Sequence, residues 1–296
     1  MGFTRRSTAE EVTEGLDLSG KTAVITGVNS GLGLESMRVL ASRGARVIGL
    51  ARTKAKADAA CDSVTGNTVG LACELSDLES VRNCVDAIND LDTPIDILMT
   101  NAGIMAPMEL SVANDVEMQF ATNHLGHFVL IEGLRPLVEQ ARGRIVILSS
   151  TAHTMTVSGG IDFENLDGSV SYDPWRFYGQ SKLANLLHAR ELARRLEGTG
   201  VTVNALHPGV IRTNLGRDAG GFLVKVMSLL APLIEKTVPQ GAATQCYVAT
   251  HPDVEGVSGE YFSDCKVKRS SAWGRDDELA RELWLESERL AAGYIP

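Results

Sequence analysis

The side chains with the clearest chemical potential in this sequence are a tyrosine and a lysine four positions apart, Tyr178 and Lys182. On a helix, residues at this spacing share a face, so the ammonium would lie one turn from the phenol. A free phenol has a pKa of about 10 and is a poor base at neutral pH, but a neighbouring positive charge favours the phenolate. The pair is therefore a candidate general acid and base, in which Lys182 is expected to lower the pKa of Tyr178.

Polar residues elsewhere in the chain could complete such a site. A run typical of a buried strand, residues 144–148, ends in two hydroxyl side chains, Ser149 and Ser150, and Asn123 lies inside a long helical pattern. Ligands of sheets with helices on both faces bind beyond the carboxyl ends of the strands. Residues that directly follow a strand, as Ser149 and Ser150 do, are therefore the ones to search for a site.

A glycine-rich turn follows the first predicted strand and precedes a helical pattern: Gly27-Val28-Asn29-Ser30-Gly31-Leu32-Gly33. Gly27 would permit the tight turn, Gly31 would let the backbone approach a phosphate, and Gly33 would let the helix pack closely on the strand. The first N–H groups of the helix and the positive end of its dipole would then face a pyrophosphate. This strand, turn and helix context predicts dinucleotide binding.

The residue after the second predicted strand bears on which dinucleotide is bound. An acidic residue there would hydrogen-bond the ribose 2′-hydroxyl of NAD, whereas a basic residue favours the 2′-phosphate of NADP. Arg52 fills this place. The sequence therefore predicts that NADP(H) is preferred and that NAD(H) is possible.

Together these motifs resemble the short-chain dehydrogenase/reductase superfamily. The resemblance rests on the TGxxxGxG turn, on Asn101-Ala102-Gly103 after the fourth predicted strand, and on the order of Asn123, Ser150, Tyr178 and Lys182. It implies that Ser150 binds the substrate oxygen, that Tyr178 transfers the proton, that Lys182 holds the nicotinamide ribose, and that Asn123 joins a water-linked proton relay with Lys182. It further implies cofactor contacts from Glu74, Leu75, Asn101, Ala102, Gly103, Pro208, Gly209, Val210 and Thr213.

The segment between Ser150 and Tyr178 is about twice the usual length and contains an insert, residues 153–175. With the motifs SKLAN, NALHPGV and SGEYFSDC, it resembles the branch of retinol dehydrogenases and WW-domain oxidoreductase-like proteins. That branch implies a lipophilic alcohol, ketone or aldehyde as substrate. An apolar stripe from Phe222 to Ile234 could roof such a pocket, within a lid near residues 214–237.

Other functions remain open at this point. Because the branch also includes protochlorophyllide reductase, a light-dependent C=C reductase is one alternative, and a non-catalytic NADP-binding protein is another. A hydrolase is disfavoured, since the sequence has no GxSxG elbow.

The alternation of short β-branched runs with helical patterns predicts an α/β fold: a single doubly wound, Rossmann-type domain over residues 21–296, with a seven-stranded parallel sheet. Residues 1–20 are an N-terminal extension, in which Thr8 and Glu11 could cap a short helix. The expected strands are 21–26, 45–51, 67–73, 95–100, 143–149, 200–206 and 257–262. The expected helices lie near 32–43, 53–63, 76–90 (with Ser76 and Glu79 as its start signal), 114–140, 175–197, 238–251 and 276–291.

Composition narrows the function classes. The net charge of −9 offers no basic surface to nucleic acid, and no apolar run is long enough to span a membrane. The five cysteines lack metal-ligand spacing, so no metal is expected, and they are consistent with reduced thiols in a cytoplasmic protein. The superfamily resemblance implies a possible homodimer or homotetramer through the helices near 114–140 and 175–197, unless further apolar helices block that surface.

Overall fold

A computed structural model of the chain describes residues 2–211 and 235–295. The strands of these residues, numbered along the chain, are β1 (Thr22–Thr26), β2 (Arg46–Ala51), β3 (Thr68–Ala72), β4 (Ile97–Thr100), β5 (Val112–Ala113), β6 (Val116–Glu117), β7 (Arg144–Leu148), β8 (Thr202–His207), β9 (Tyr261–Ser263) and β10 (Lys266–Val267). The helices are α1 (Ala9–Val12), α2 (Gly31–Ser42), α3 (Lys54–Asp62), α4 (Leu78–Asn89), α5 (Met118–Phe120), α6 (Gly126–Ala141), α7 (Pro174–Arg195), α8 (Val238–Thr250) and α9 (Asp277–Leu290).

The main sheet has the order β10-β9-β8-β7-β4-β1-β2-β3. Seven of its strands are parallel, as the sequence predicts, and β10 is an antiparallel eighth strand at the edge. The expected count is therefore one strand too low. Asp264 and Cys265, both with positive φ, form the tight turn into β10, and a strand of two residues is too short to show an alternating pattern. The order reverses between β1 and β4, which is where such sheets bind ligands.

Apolar side chains cover both faces of this sheet. In β1, Val24 points to one face and Ala23 and Ile25 to the other, and every residue of the strand is buried. One core cluster joins the sheet to α4, α6, α7 and α9, and the other joins it to α1, α2, α3 and α8. Burial on both faces explains why the central strands are nearly continuous apolar runs.

The N-terminal extension packs on this framework through α1. Thr8 accepts a hydrogen bond from the Glu11 amide, and the Glu11 carboxylate accepts one from the Thr8 amide, so the predicted capping box is present. Ala9 and Val12 are buried beside α8. The extension therefore contributes to the core.

Two predicted helix starts differ from the structure. The helix expected from residue 114 begins at Met118, because Asn114 and Asp115 adopt positive φ and turn the chain through the β5–β6 hairpin. The helix expected from residue 76 begins at Leu78, because the Asp77 carboxylate caps it. The strand expected at 257–262 likewise begins only at Tyr261.

The C-terminal helix α9 covers the outer side of α7. Leu279, Leu283 and Trp284 are buried there, so α9 occupies part of the helical surface through which an oligomer was expected. No helix within residues 2–211 and 235–295 is both long and apolar enough to cross a bilayer. The five cysteines are free thiols, and all of them are buried.

Candidate active site

The four residues predicted to catalyse come from three elements that meet near the carboxyl ends of β4 and β7. Ser150 follows β7, Tyr178 and Lys182 lie on α7, and Asn123 lies in a π-helical turn, Ala121–Leu125, that leads into α6. Turns of this type widen a helix locally and are frequent at functional sites. The structure therefore gathers at one place residues that the sequence separates by up to 59 positions.

Tyr178 is 9% exposed, and burial raises the pKa of its phenol to about 12. A hydrogen bond with the Ser150 side chain partly offsets this rise in pKa. The Ala152 amide donates to Ser150 Oγ at 3.1 Å, so the Ser150 hydroxyl hydrogen can point elsewhere. The phenol is therefore protonated at neutral pH in the chain without cofactor.

Lys182 is 3% exposed, and burial lowers the pKa of its ammonium to about 8. Its Nζ donates to the Leu148 carbonyl at 3.3 Å and lies 5.7 Å from the centre of the Tyr178 ring. The structure thus differs from the expectation that Lys182 lowers the pKa of Tyr178. Burial disfavours both the phenolate of Tyr178 and the ammonium of Lys182. The hydrogen bond that lowers the phenol pKa comes from Ser150.

Asn123 connects the loop after β4 to α7. Its Oδ1 accepts from the Ile104 amide at 2.8 Å, and its Nδ2 donates to the Ile104 carbonyl at 3.0 Å and to Ser181 Oγ at 2.9 Å. Ser181 in turn donates to the Tyr178 carbonyl at 2.9 Å. Asn123 therefore holds the turn of α7 that carries Tyr178 and Lys182, and its expected part in a proton relay stays a prediction.

The glycine-rich turn leaves the start of α2 open. Ser30 is the N-cap residue but its side chain makes no capping hydrogen bond, and Asn29 and Ser30 are exposed. A Cβ on Gly33 would lie 2.3 Å from the Gly27 carbonyl oxygen, so the helix packs closer to the turn than any other residue allows. The first N–H groups of this 12-residue helix receive no capping bond from Ser30, and at the positive end of the helix dipole such groups fit a phosphate group.

Asn101, Ala102 and Gly103 lie between this turn and the residues predicted to catalyse. The Asn101 side chain donates to the Thr26 carbonyl at 3.0 Å, and the Asn101 and Ala102 amides both donate to Thr26 Oγ1 at 2.9 Å. A Cβ on Gly103 would lie 2.9 Å from Asn123 Oδ1 and 3.4 Å from Lys182 Nζ. The motif thus ties β4 to β1 and leaves space beside Lys182.

Arg52 directly follows β2, and its guanidinium is exposed and forms no ion pair with the described residues. This free cation fits the 2′-phosphate of NADP. The Glu74 carboxylate accepts a hydrogen bond from Ser76 Oγ at 2.9 Å, and Leu75 is buried against the start of α6. Glu74 therefore stabilises its own turn, and a contact with adenine stays a prediction.

The segment after β8 closes the other side of the site. Pro208 is buried and Val210 is exposed, and a Cβ on Gly209 would lie 2.7 Å from the Lys236 side chain. The Lys236 amide donates to the Val210 carbonyl at 2.8 Å, and its Nζ pairs with Asp264 at 2.7 Å. The expected contact at Thr213 and residues 214–234 of the lid expected near 214–237 lie outside the described residues.

Two supporting residues, His127 and Asn185, are not among the site residues that the sequence predicts. His127 accepts from Thr26 Oγ1 at 2.9 Å and donates to the Asn123 carbonyl at 3.0 Å, so it connects β1 to the π-helical turn. Asn185 donates to the Leu148 carbonyl, the group that Lys182 also contacts. The SKLAN motif was the available signal for Asn185, whereas no local pattern indicated the role of His127.

Comparison with known proteins decides the family. Residues 21–164 match the family model of the short chain dehydrogenases. A chloroplastic short-chain dehydrogenase of Brassica napus, TIC 32 B, is 43% identical over 98% of this chain and 94% of its own length. The chain belongs to the short-chain dehydrogenase family. Retinol dehydrogenase 14 of Mus musculus, 42% identical over 92% of this chain and 86% of its own, places the chain in the branch that the insert predicts.

Solved structures agree with this assignment. A crystal structure of a protein from Mycobacterium paratuberculosis is 34% identical and covers 96% of this chain and 98% of its own, with a TM-score of 0.77. The Rossmann-type, doubly wound fold is thereby confirmed. This short-chain dehydrogenase thus belongs to a family of oxidoreductases that bind NAD(P)(H). Among its described residues, no group of three or more His, Cys, Asp or Glu side chains could hold a metal ion.

Proposed function

We propose that this protein is an NADP(H)-dependent oxidoreductase that interconverts a lipophilic alcohol and its ketone or aldehyde. The observation that carries the proposal is the convergence of Ser150, Tyr178 and Lys182: the Ser150 side chain hydrogen-bonds Tyr178, and Lys182 Nζ lies 5.7 Å from the centre of the Tyr178 ring. A hydroxyl, a phenol and an ammonium this close together suit binding of a carbonyl oxygen and transfer of a proton to it.

The bound nicotinamide supplies or accepts the hydride. In reduction, Ser150 hydrogen-bonds the carbonyl oxygen, and Tyr178 donates its proton to the oxygen as negative charge develops there. The raised pKa of Tyr178 keeps this proton in place at neutral pH. In oxidation the same phenol must first lose its proton, so the reverse reaction requires a higher pH or a nearby positive charge.

Arg52 is the residue proposed to select NADP(H). It is exposed at the end of β2 and free of ion pairs among the described residues, so its charge is available to a 2′-phosphate. The amides at the start of α2, which the Ser30 side chain does not cap, are the groups proposed to hold the pyrophosphate. Pro208, Gly209 and Val210 would border the nicotinamide.

A lipophilic substrate is supported by apolar side chains on segments next to Tyr178. Met155 is exposed on the loop after Ser150, Met108 is exposed on the loop after Gly103, and the Trp175 ring lies 6.3 Å from the Tyr178 ring. Relatives named retinol dehydrogenases at about 40% identity favour the same substrate class.

The test is a screen of lipophilic ketones, aldehydes and secondary alcohols, with absorbance of the reduced nicotinamide followed for NADPH and NADH separately. We expect turnover in the dark with at least one carbonyl compound and NADPH. Turnover only under illumination with a C=C substrate would favour the light-dependent reductase. Binding of NADPH without turnover of any compound would favour the non-catalytic protein.

A further inference from the structure

His153 lies three residues after Ser150 and makes two hydrogen bonds through its ring. Its Nδ1 lies 2.5 Å from the Ser150 carbonyl oxygen, and its Nε2 lies 3.1 Å from the Ser271 amide nitrogen. Ser271 lies in the segment that leads to α9, 118 positions further along the chain. The imidazole therefore bridges the catalytic serine to the C-terminal part of the protein.

The two hydrogen-bond partners fix the tautomer of the His153 ring. A carbonyl oxygen only accepts, so Nδ1 carries the hydrogen, and a backbone amide only donates, so Nε2 carries the lone pair. His153 is 3% exposed, and burial lowers its pKa, which keeps the ring neutral. The ring of Tyr261 packs edge-on against it at 5.3 Å, which further restricts its orientation.

The ring contacts the backbone of Ser150, the residue whose hydroxyl is proposed to bind the substrate oxygen. The Ser150 carbonyl accepts from both the ring and the backbone amide of His153. Ser150 Oγ accepts from the Ala152 amide, in the same short 3-10 turn. The Thr151 amide donates to His207 Nδ1 at 3.3 Å, which connects this turn to the segment that begins with Pro208.

We propose that His153 is a positioning residue for the reaction: its Nδ1–H bond to the Ser150 carbonyl sets the orientation of the Ser150 hydroxyl toward Tyr178. The proposal rests on the proposed function, since it assigns the orientation of a hydroxyl in that reaction. The hydrogen bond from the Ser271 amide to Nε2 selects the tautomer in which Nδ1 carries the hydrogen and donates it to Ser150. Without this selection, an imidazole with its hydrogen on Nε2 would turn a lone pair toward the carbonyl oxygen.

Two substitutions each remove one of the two hydrogen bonds that the His153 ring makes. His153→Asn places an amide N–H near the position of Nδ1 and loses the acceptor for Ser271. His153→Gln places an amide oxygen near the position of Nε2 and loses the donor to Ser150. His153→Ala loses both. We would measure kcat, the KM for NADPH, the thermal midpoint and the hydrogen exchange rate of the Ser271 amide in each variant.

We expect His153→Asn to keep kcat near the wild-type value, although its Ser271 amide exchanges faster. We expect His153→Gln to protect that amide yet to lose about 10- to 100-fold in kcat, because a small misplacement of a reacting group has effects of this size. The KM for NADPH should change little in both. Equal kcat in His153→Asn and His153→Gln, with differences only in the thermal midpoint, would show a purely structural role and overturn the proposal.

The same experiment separates this proposal from the proposed function. If the wild type turns over no carbonyl compound, the proposed function fails, and with it the positioning role, whatever the exchange rates show. If the wild type is active and Tyr178→Phe is inactive, the proposed function stands. The comparison of His153→Asn with His153→Gln then decides the role of His153 alone.

Discussion

At the scale of single residues, burial governs the charge states of the site. It raises the pKa of Tyr178 to about 12 and lowers that of Lys182 to about 8, so each side chain moves toward its neutral form. Spacing alone predicted the opposite shift for the phenol. The sequence identifies which side chains meet, but the low dielectric around them depends on the packing of the whole domain.

The first prediction concerns the pH dependence of carbonyl reduction. The ammonium of Lys182 is present below a pH of about 8 and is lost above it. We therefore expect kcat/KM for the carbonyl substrate, at saturating NADPH, to be level between pH 6 and 7 and to fall as pH rises through this value. Lys182→Arg should move the fall to higher pH, because a guanidinium keeps its proton. A profile that is the same in both proteins would contradict this role for Lys182.

The second prediction concerns Arg52. In Arg52→Ala the 2′-phosphate loses a charged partner, which is worth about 1.5–3 kcal/mol, or roughly 10- to 100-fold in affinity. We expect the Kd for NADPH to rise by this factor and the Kd for NADH to stay unchanged, as measured by fluorescence titration. Arg46→Ala, at the opposite end of β2, is the matched control and should affect neither cofactor. An equal loss for both cofactors would reject the selective role.

At the scale of elements, α9 is held by one aromatic side chain more than by any ion pair. Trp284 is 2% exposed; its ring lies 5.0 Å from that of Phe128, 5.6 Å from that of His188, and 4.1 Å from the Arg195 guanidinium. These contacts join α9 to both α6 and α7. The helical period of the sequence predicts α9, but it does not say which surface the helix covers.

The third prediction follows from this packing. Trp284→Ala should lower the free energy of unfolding by about 3–5 kcal/mol, because it leaves a large cavity in the core. The measurement is urea denaturation followed by circular dichroism. The control is Leu285→Ala on the same helix, where the side chain is 63% exposed and we expect little change. Similar losses in both variants would contradict the account of α9.

How far the elements could be predicted depends on the length of their patterns. The seven parallel strands were predicted from short β-branched or apolar runs, and the long helices from a helical period that repeats over several turns. The β5–β6 hairpin and β10 were missed because they are two-residue strands set by residues of positive φ, Asn114 and Asp264 among them. The site residues differ in the same way. Tyr178 and Lys182 could be predicted because they lie on a regular helix. His127 and His153 could not, because they hydrogen-bond Thr26 and Ser271, which are more than 100 positions away in the sequence.

At the scale of the whole molecule, buried histidines set the response to acid. Burial lowers the pKa of His127 and His207 to about 4 and that of His188 well below its usual range. In the unfolded chain a histidine binds a proton below pH 6.5, whereas in the folded protein it stays neutral until the lower value is reached. Between these values acid favours the unfolded state, so stability falls as pH falls.

The fourth prediction uses this window. Each of these three histidines should remove up to about 1.4 kcal/mol of stability per pH unit between pH 6 and 4.5. His188→Phe removes one titrating group among Phe128 and Trp284, so its stability should fall less steeply with acid than that of the wild type. Urea midpoints at both pH values provide the comparison. Parallel pH profiles for the two proteins would show that His188 does not contribute.

The most direct test of the central claim follows the hydride that NADPH supplies and the proton that Tyr178 supplies. With NADPH deuterated at both C4 positions of the nicotinamide and a lipophilic ketone, the account predicts an alcohol that carries deuterium on the former carbonyl carbon. Tyr178→Phe should bind NADPH with the wild-type Kd and lose about 10²- to 10⁴-fold in turnover, since it lacks the acid. An alcohol without deuterium on that carbon, or a Tyr178→Phe protein that keeps most of its turnover, would contradict the account.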